Sequence, residues 1–345
     1  GVARQYCGQL GKTDNCQVAV SLSLATAEGS VPLDYRLYLP REWAEDKRRC
    51  KRAGVPKEIG FATKGELAWT QIEAALAAGI PRGPVLMDAG YGDEAALRDR
   101  LSAHGLPYAV GIRPATAVWW DEHQPARAPV KQGHGRPRTR MLRDENHQPI
   151  SVRELAQALP ATRYRTMTWR EGTNAPLCSR FARVRVRAAH ADRPRAEEWL
   201  LIEWPKGEAE PTRYFLSTLP ANISFKALVA TVKMRWRIER DYRELKQEVG
   251  LGHYEGRNWR GFHHHASLCI AAYGFLMLEQ LSGSKKNAAR LKTPPLPKGF
   301  RPRGARADAA THPVVDRHRA LSPGAGHRSG SSAMPVLRET LRARS

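Results

Sequence analysis

The 345 residues carry 56 Lys and Arg against 34 Asp and Glu, a formal net charge of +22 with an isoelectric point near 10.3; this argues against a small neutral substrate and for a polyanionic partner, and the excess of Arg over Lys, 42 to 14, suits bidentate phosphate contact. The length allows one large domain with an insertion or two domains. No run of about 18 apolar residues and no signal-peptide order are evident, which predicts an intracellular protein without a membrane span, and five scattered cysteines without CxxC spacing argue against disulfides or a zinc knuckle.

Residues 17–25 alternate as a strand, and residues 31–39 read as its antiparallel partner across the Glu28-Gly29-Ser30 turn. A basic, irregular run follows at residues 46–52. Residues 65–78 have helical periodicity through Leu67, Ile72, Leu76 and Ala77 and end at Gly79. Residues 84–87 form a short continuous apolar run, as expected for a strand buried at a sheet centre. That strand stops at Asp88-Ala89-Gly90-Tyr91-Gly92, and Asp93 is placed to cap a helix through Arg100. Residues 108–112 make a further strand. The predicted class is therefore α/β, a mixed sheet flanked by helices, with Asp88 at the carboxyl end of a central strand, where sites in open α/β sheets are built. A turn-forming Asp before Gly is the simpler account of Asp88 taken alone.

Residues 114–219 change character to short aromatic and β-branched runs separated by Pro-rich and basic linkers, which predicts a β-rich insertion folding out as a separate module. A helical pattern returns at Ser224 and runs to Val249. A second apolar helix at about residues 265–281 carries Leu268, Ala272, Phe275, Leu276 and Leu278 and is expected to pack under the first. Residues 291–345 are rich in Pro, Gly, Ser, Ala and Arg, a composition that cannot offset the entropy of ordering, so a disordered tail adding nothing to the fold is expected.

Within the 224–249 helix, Met234, Ile238, Tyr242, Leu245 and Val249 form one apolar stripe and Lys233, Arg237, Asp241, Glu244 and Glu248 the opposite side. Glu239 lies at the border, with Arg235 four residues before it and Lys246 seven after it within about 40° of the same line. Arg235-Trp236-x-Ile238-Glu239 with Lys246 resembles the third catalytic motif of Asp-Asp-Glu (DDE) insertion-sequence transposases, in the endonuclease branch that carries a Tyr-Arg-Glu-Lys signature; Val232 stands where that signature has Tyr. Asp88-Ala89-Gly90-Tyr91-Gly92 resembles the second motif. Tyr214-Phe215-Leu216-Ser217-Thr218-Leu219 resembles the strand leading into the Glu helix. The opening 12 residues and the stretch Gly256 to His264 are similar to segments of the same family.

The resemblance implies a ribonuclease-H-like core (residues 1–113 and 220–290) interrupted by the insertion. It implies catalytic, metal-binding Asp88 and Glu239, brought together despite their distance in sequence, and a Mg²⁺ cofactor, with Mn²⁺ possible. The substrate would be transposon-end and target DNA, contacted by Arg235, Trp236, Arg243 and Lys246, with a homodimer on paired ends and a bacterial, nucleoid-associated location. The family's first catalytic Asp sits on a strand upstream of the segment that resembles Gly1 to Lys12. The chain starts with Gly, which reads as processing or a fragment, and Asp14 and Asp34 are poorly placed to substitute. A chain that binds DNA but cuts it poorly is the resulting expectation. A catalytically dead, transposase-derived DNA-binding protein and an unrelated metal-dependent nuclease stay open. The His263-His264-His265 run has the composition of a metal cluster, but adjacent helical residues point apart, so a structural or phosphate-facing role is expected.

Overall fold

The computed structural model describes residues 1–7, 10–120, 147–170, 176–190, 195–290 and 339–341. Strands β1 (Ala3–Cys7) and β2 (Lys12–Ala25) form an antiparallel hairpin, and β2 turns back antiparallel into β3 (Ser30–Leu37). The expected hairpin is thus present, with β2 starting earlier than its apolar alternation. Helices α1 (Arg41–Glu45) and α2 (Lys47–Arg52) follow. The basic run expected to be irregular is helical because Asp46 caps α2, its carboxylate accepting from Arg49 N at 2.9 Å. Helix α3 (Lys64–Ala77) opens on a capping box in which Thr63 and Glu66 each accept the other's backbone N–H. Its buried Gln71 donates to Val20 O at 2.9 Å, tying the helix to β2.

The second sheet begins with β4 (Val85–Met87), then helices α4 (Ala89–Gly92) and α5 (Ala95–Ala103), then β5 (Tyr108–Ile112), which runs parallel to β4. Asp93 does not cap the following helix. It closes α4, and its carboxylate accepts from Arg113 N and Thr116 Oγ1, both at 3.1 Å. Strands β6 (Ala117–Trp119) and β7 (Ile150–Ser151), helix α6 (Val152–Ala158), and strands β8 (Arg165–Arg170), β9 (Leu177–Ala188), β10 (Glu198–Glu203) and β11 (Arg213–Ser217) come next. The order across the sheet is β4-β5-β11-β10-β9-β6-β7, with β8 also on β9. All contacts after β4–β5 are antiparallel.

Residues 114–219 therefore do not fold out as a separate module. Tyr214, Phe215, Leu216 and Ser217 pair directly with Ile112, Gly111, Val110 and Ala109 of the core strand, and the segment also contains α6. One mixed eight-stranded sheet flanked by helices results, consistent with the expected ribonuclease-H-like class. One face of the sheet packs with α3, α5 and α6 through Ile72, Leu101, Val110, Leu155, Leu200 and Leu216, and other side chains of its strands, among them Phe181, Leu201 and Phe215, form a second cluster with Leu228, Val229 and Val232.

The 224–249 helix is two helices, α7 (Phe225–Lys233) and α8 (Trp236–Gln247), and the long α9 (Trp259–Arg290) follows. Ile238, Tyr242 and Leu245 are buried as predicted, but so is Asp241, at 3 % exposure, because the Tyr273 hydroxyl of α9 donates to it at 3.0 Å. The face of α9 that packs is Phe262, Ala266, Cys269 and Tyr273. Leu268, Phe275, Leu276 and Leu278, expected underneath, are more than half exposed: a helix carrying apolar side chains on most of its faces gives the periodicity no single answer. Contrary to the sequence reading, Trp259–Gly283 is long and apolar enough to cross a membrane by length and composition, yet its inner face packs on β3 and α8. Of the expected featureless tail, Glu339–Leu341 form strand β12, antiparallel to Gln17–Ala19 on the edge of β2 opposite β3; the rest of the tail lies outside the described residues.

Candidate functional site

Asp88 leaves the end of β4 and caps α4: its Oδ1 accepts from Gly90 N at 2.9 Å and Tyr91 N at 3.3 Å, and the residue is 5 % exposed. Carboxylate at a helix N-terminus is electrostatically favoured. Gly92 of Asp88-Ala89-Gly90-Tyr91-Gly92 has a packing cause. A Cβ on Gly92 would lie 1.9 Å from Gly111 O, and one on Gly111 would lie 3.0 Å from Ala89 N, so α4 rests directly on the backbone of β5. Tyr91, 2 % exposed, fills the core beside it. Asp88 is thereby fixed against the sheet.

Glu239 is presented from the first turn of α8, its side chain 37 % exposed, at the border the helical periodicity predicts. Arg235, at the start of α8 and 14 % exposed, donates from Nη2 to Glu239 Oε1 at 2.9 Å. Burial pulls the Arg235 guanidinium below its ordinary range, and the carboxylates of Glu239 and Asp88 push it back up. Arg235 is thus bonded to Glu239, and its guanidinium also feels the charge of Asp88. Arg235 is expected from sequence to face phosphate; here it is committed to Glu239.

The other predicted DNA contacts are spread around this pair. Trp236 is covered on one ring face by the Arg170 guanidinium at 3.9 Å, Arg243 is exposed and Lys246 is half-buried. Val232, where the signature has Tyr, is 4 % exposed in a core of Trp199, Phe215, Leu228 and Val229, so this position packs inward. Asp34 pairs with Arg36 at 2.9 Å and Asp14 with Lys12 at 3.6 Å. The histidine run is structural: His263 Nδ1 meets Trp259 O at 2.9 Å and His265 Nε2 meets Gly250 O at 3.0 Å, while His264 faces solvent.

Sequence reasoning assigned none of three cations to this place, and Lys233, expected on the polar side, is buried. Arg213 opposes Arg235 electrostatically, Arg170 covers Trp236, and Lys233 is buried against Glu203. No spacing rule links β8, β11 and α7, so only the fold brings them to one place.

Among the described residues, no group of three or more His, Cys, Asp or Glu could hold a metal ion. Two hard oxygen donors nevertheless fit Mg²⁺, which is held by one or two carboxylates with waters and substrate phosphates completing the shell. Beside them, an apolar cavity of about 290 Å³ runs between β2 (Leu22, Ala25), α3 (Ile72, Leu76), β4 (Val85, Leu86) and the α7–α8 junction (Met234, Arg235).

No curated protein matches the chain. The family model of the DDE superfamily endonucleases matches residues 1–176, a span that contains Asp88 and ends before Glu239. With the mixed sheet, the acid at the end of β4 and half of the chain in that match, this protein belongs to the DDE superfamily endonuclease family.

Proposed function

We propose that the chain is the DNA transposase of an insertion sequence, cleaving at element ends and joining the freed 3′ hydroxyl to target DNA with Mg²⁺ or Mn²⁺. The observation that carries this is the acid at the end of β4, Asp88, within the span that the DDE endonuclease family model matches, in a chain of net charge +22 whose Glu239 is held by Arg235 at the start of α8. Asp88 and Glu239 would hold the metal. The chemistry a bound divalent ion supplies there is charge stabilisation of the attacking and leaving oxygens of a phosphodiester. Arg213, Arg237, Arg243 and Lys246 supply a positive surface that draws and orients the phosphate backbone. Asp88, locked by its cap on β5, keeps its position through the reaction, whereas Glu239, more exposed, meets the DNA side.

The second reading is a DNA-binding protein of transposase descent that binds DNA and cuts it little, favoured by the net charge of +22. The exposed Leu268, Phe275, Leu276 and Leu278 of α9 support a homodimer on paired ends, in the bacterial nucleoid.

The test uses the full chain with element-end DNA. Mg²⁺-dependent cleavage is expected, and Asp88→Asn or Glu239→Gln is expected to abolish it while DNA affinity, falling steeply with salt, changes less than about twofold; salt-dependent binding without cleavage favours the second reading. Cleavage that survives both substitutions sinks the assignment.

A further inference from the structure

We propose that helix α2 and the start of α9 form a second docking surface for the phosphate backbone of duplex DNA, apart from the site of Asp88 and Glu239. The inference rests on the reading of DNA as the partner and extends it to residues which that site does not use. Residues 47–52 read Lys-Arg-Arg-Cys-Lys-Arg, five cations in six positions. At about 100° per residue, Lys47, Arg48, Lys51 and Arg52 share an arc of about 140°, and all four are exposed. The other side holds the helix down: Cys50, 8 % exposed, and Ala53 pack with Leu39, Trp43, Ala44 and Val55, and the Arg49 guanidinium stacks over Trp43 at 4.1 Å.

The fold brings further cations to the same end. Trp259 N donates to Ala53 O at 2.8 Å, and Trp259 packs on the cluster beneath α2. The end of α2 therefore lies beside the start of α9, where Arg257 and Arg260 are exposed. Nothing in the packing asks for this charge. Like charges four residues apart, as in Lys47 with Lys51 and Arg48 with Arg52, destabilise a helix, and a cation in the first turn of a helix, as Arg260 is, opposes the helix dipole. Of the nearby acids, Asp46 caps α2 and Glu45 pairs with Arg41. Among the described residues, the exposed Glu58 and Glu255 pair with none of the six cations, and no other acid does. A line of phosphates supplies the missing anions: a guanidinium forks onto phosphate oxygens, and each phosphate neutralised releases counterions. The exposed arc of α2 carries no apolar side chain, so it lacks the face that an interfacial membrane helix inserts.

The experiment is fluorescence anisotropy of a labelled duplex titrated at several salt concentrations, with three proteins: the full chain, Lys47→Gln/Arg48→Gln/Lys51→Gln/Arg52→Gln, and a control that removes four exposed cations elsewhere, Arg163→Gln/Arg165→Gln/Lys206→Gln/Lys226→Gln. The α2 variant is expected to bind at least about tenfold more weakly than the parent, with a slope of log affinity on log salt shallower by about two or more; the control is expected to change less than about threefold. An α2 variant that binds no more weakly than the control overturns the proposal while leaving DNA as the partner. A parent without salt-dependent DNA binding removes the DNA reading itself, and the proposal with it. Parent binding that is tighter to phosphatidylserine vesicles than to the duplex, and lost in the α2 variant, overturns it in favour of a membrane surface. Should the α2 variant not fold, Arg257→Gln/Arg260→Gln decides: binding at least about threefold weaker than the parent is expected, and an unchanged affinity overturns the idea.

Discussion

Glu203 at the end of β10 and Lys233 at the end of α7 form a pair whose loss can be worked out from the structure. Lys233 Nζ lies 2.7 and 2.8 Å from the two Glu203 oxygens, with the side chains 9 % and 7 % exposed. The ammonium also sits over the rings of Trp169 and Phe181. Burial pulls the Lys233 amine below its ordinary range and Glu203 pushes it back up. Glu203→Gln removes the charge that compensates Lys233 and leaves a cation in a near-dry site, which costs about 3–5 kcal/mol. At the roughly 2 °C per kcal/mol suited to a large domain, the thermal midpoint falls by about 6–10 °C. Glu203→Leu with Lys233→Met takes both charges out together and should stay within about 1 kcal/mol of the parent, since an apolar pair of similar volume replaces a buried ion pair at little loss. Thermal and urea unfolding followed by circular dichroism read both numbers. A loss below about 1 kcal/mol for Glu203→Gln would mean that water already serves Lys233, and the argument from burial would fail. Because Lys233 is two residues before Arg235, the single variant should also disturb the Arg235–Glu239 pair, and the double variant should not.

Gly92→Ala should destabilise the fold by more than about 2 kcal/mol in urea unfolding, because its methyl group would meet Gly111 O and push α4, with the Asp88 cap, off β5; a neutral outcome would show that α4 can shift freely. Glu198 is 3 % exposed and burial raises its carboxyl above the usual value of 4.5, opposed by the Tyr108 hydroxyl donating at 2.8 Å and by Arg98 and Arg195. The folded state holds that proton more tightly than the unfolded one, so the stability it contributes is full below about pH 4.5 and is lost as pH rises through the raised value. Glu198→Gln should therefore gain stability relative to the parent between pH 4.5 and 7, and a thermal-midpoint difference identical at both ends contradicts the assignment.

Local pattern alone made much of this protein legible. The β2–β3 hairpin, α3 and the β4 and β5 strands lie within a few residues of where alternation and helical periodicity put them, because each depends on neighbours in sequence. The Glu239 border position on α8 and the acid at the end of β4 were readable for the same reason, and the family was readable from their motifs. What sequence could not give is what depends on contacts between distant segments. Asp241 looked solvent-facing until Tyr273 of α9 was there to bond it. The face of α9 that packs could not be chosen from a helix apolar on several sides. The strands of residues 114–219 looked like a separate module until β11 was seen to pair with β5. The Asp88 stretch read as a turn, whereas its Gly92 is required by a backbone oxygen of Gly111 on another strand. Above all, the partnership of Arg235 with Glu239 was decided by tertiary structure: charge and spacing offered it phosphate or Glu239 alike, and burial at the α7–α8 junction, which no local pattern encodes, settled where the cation rests.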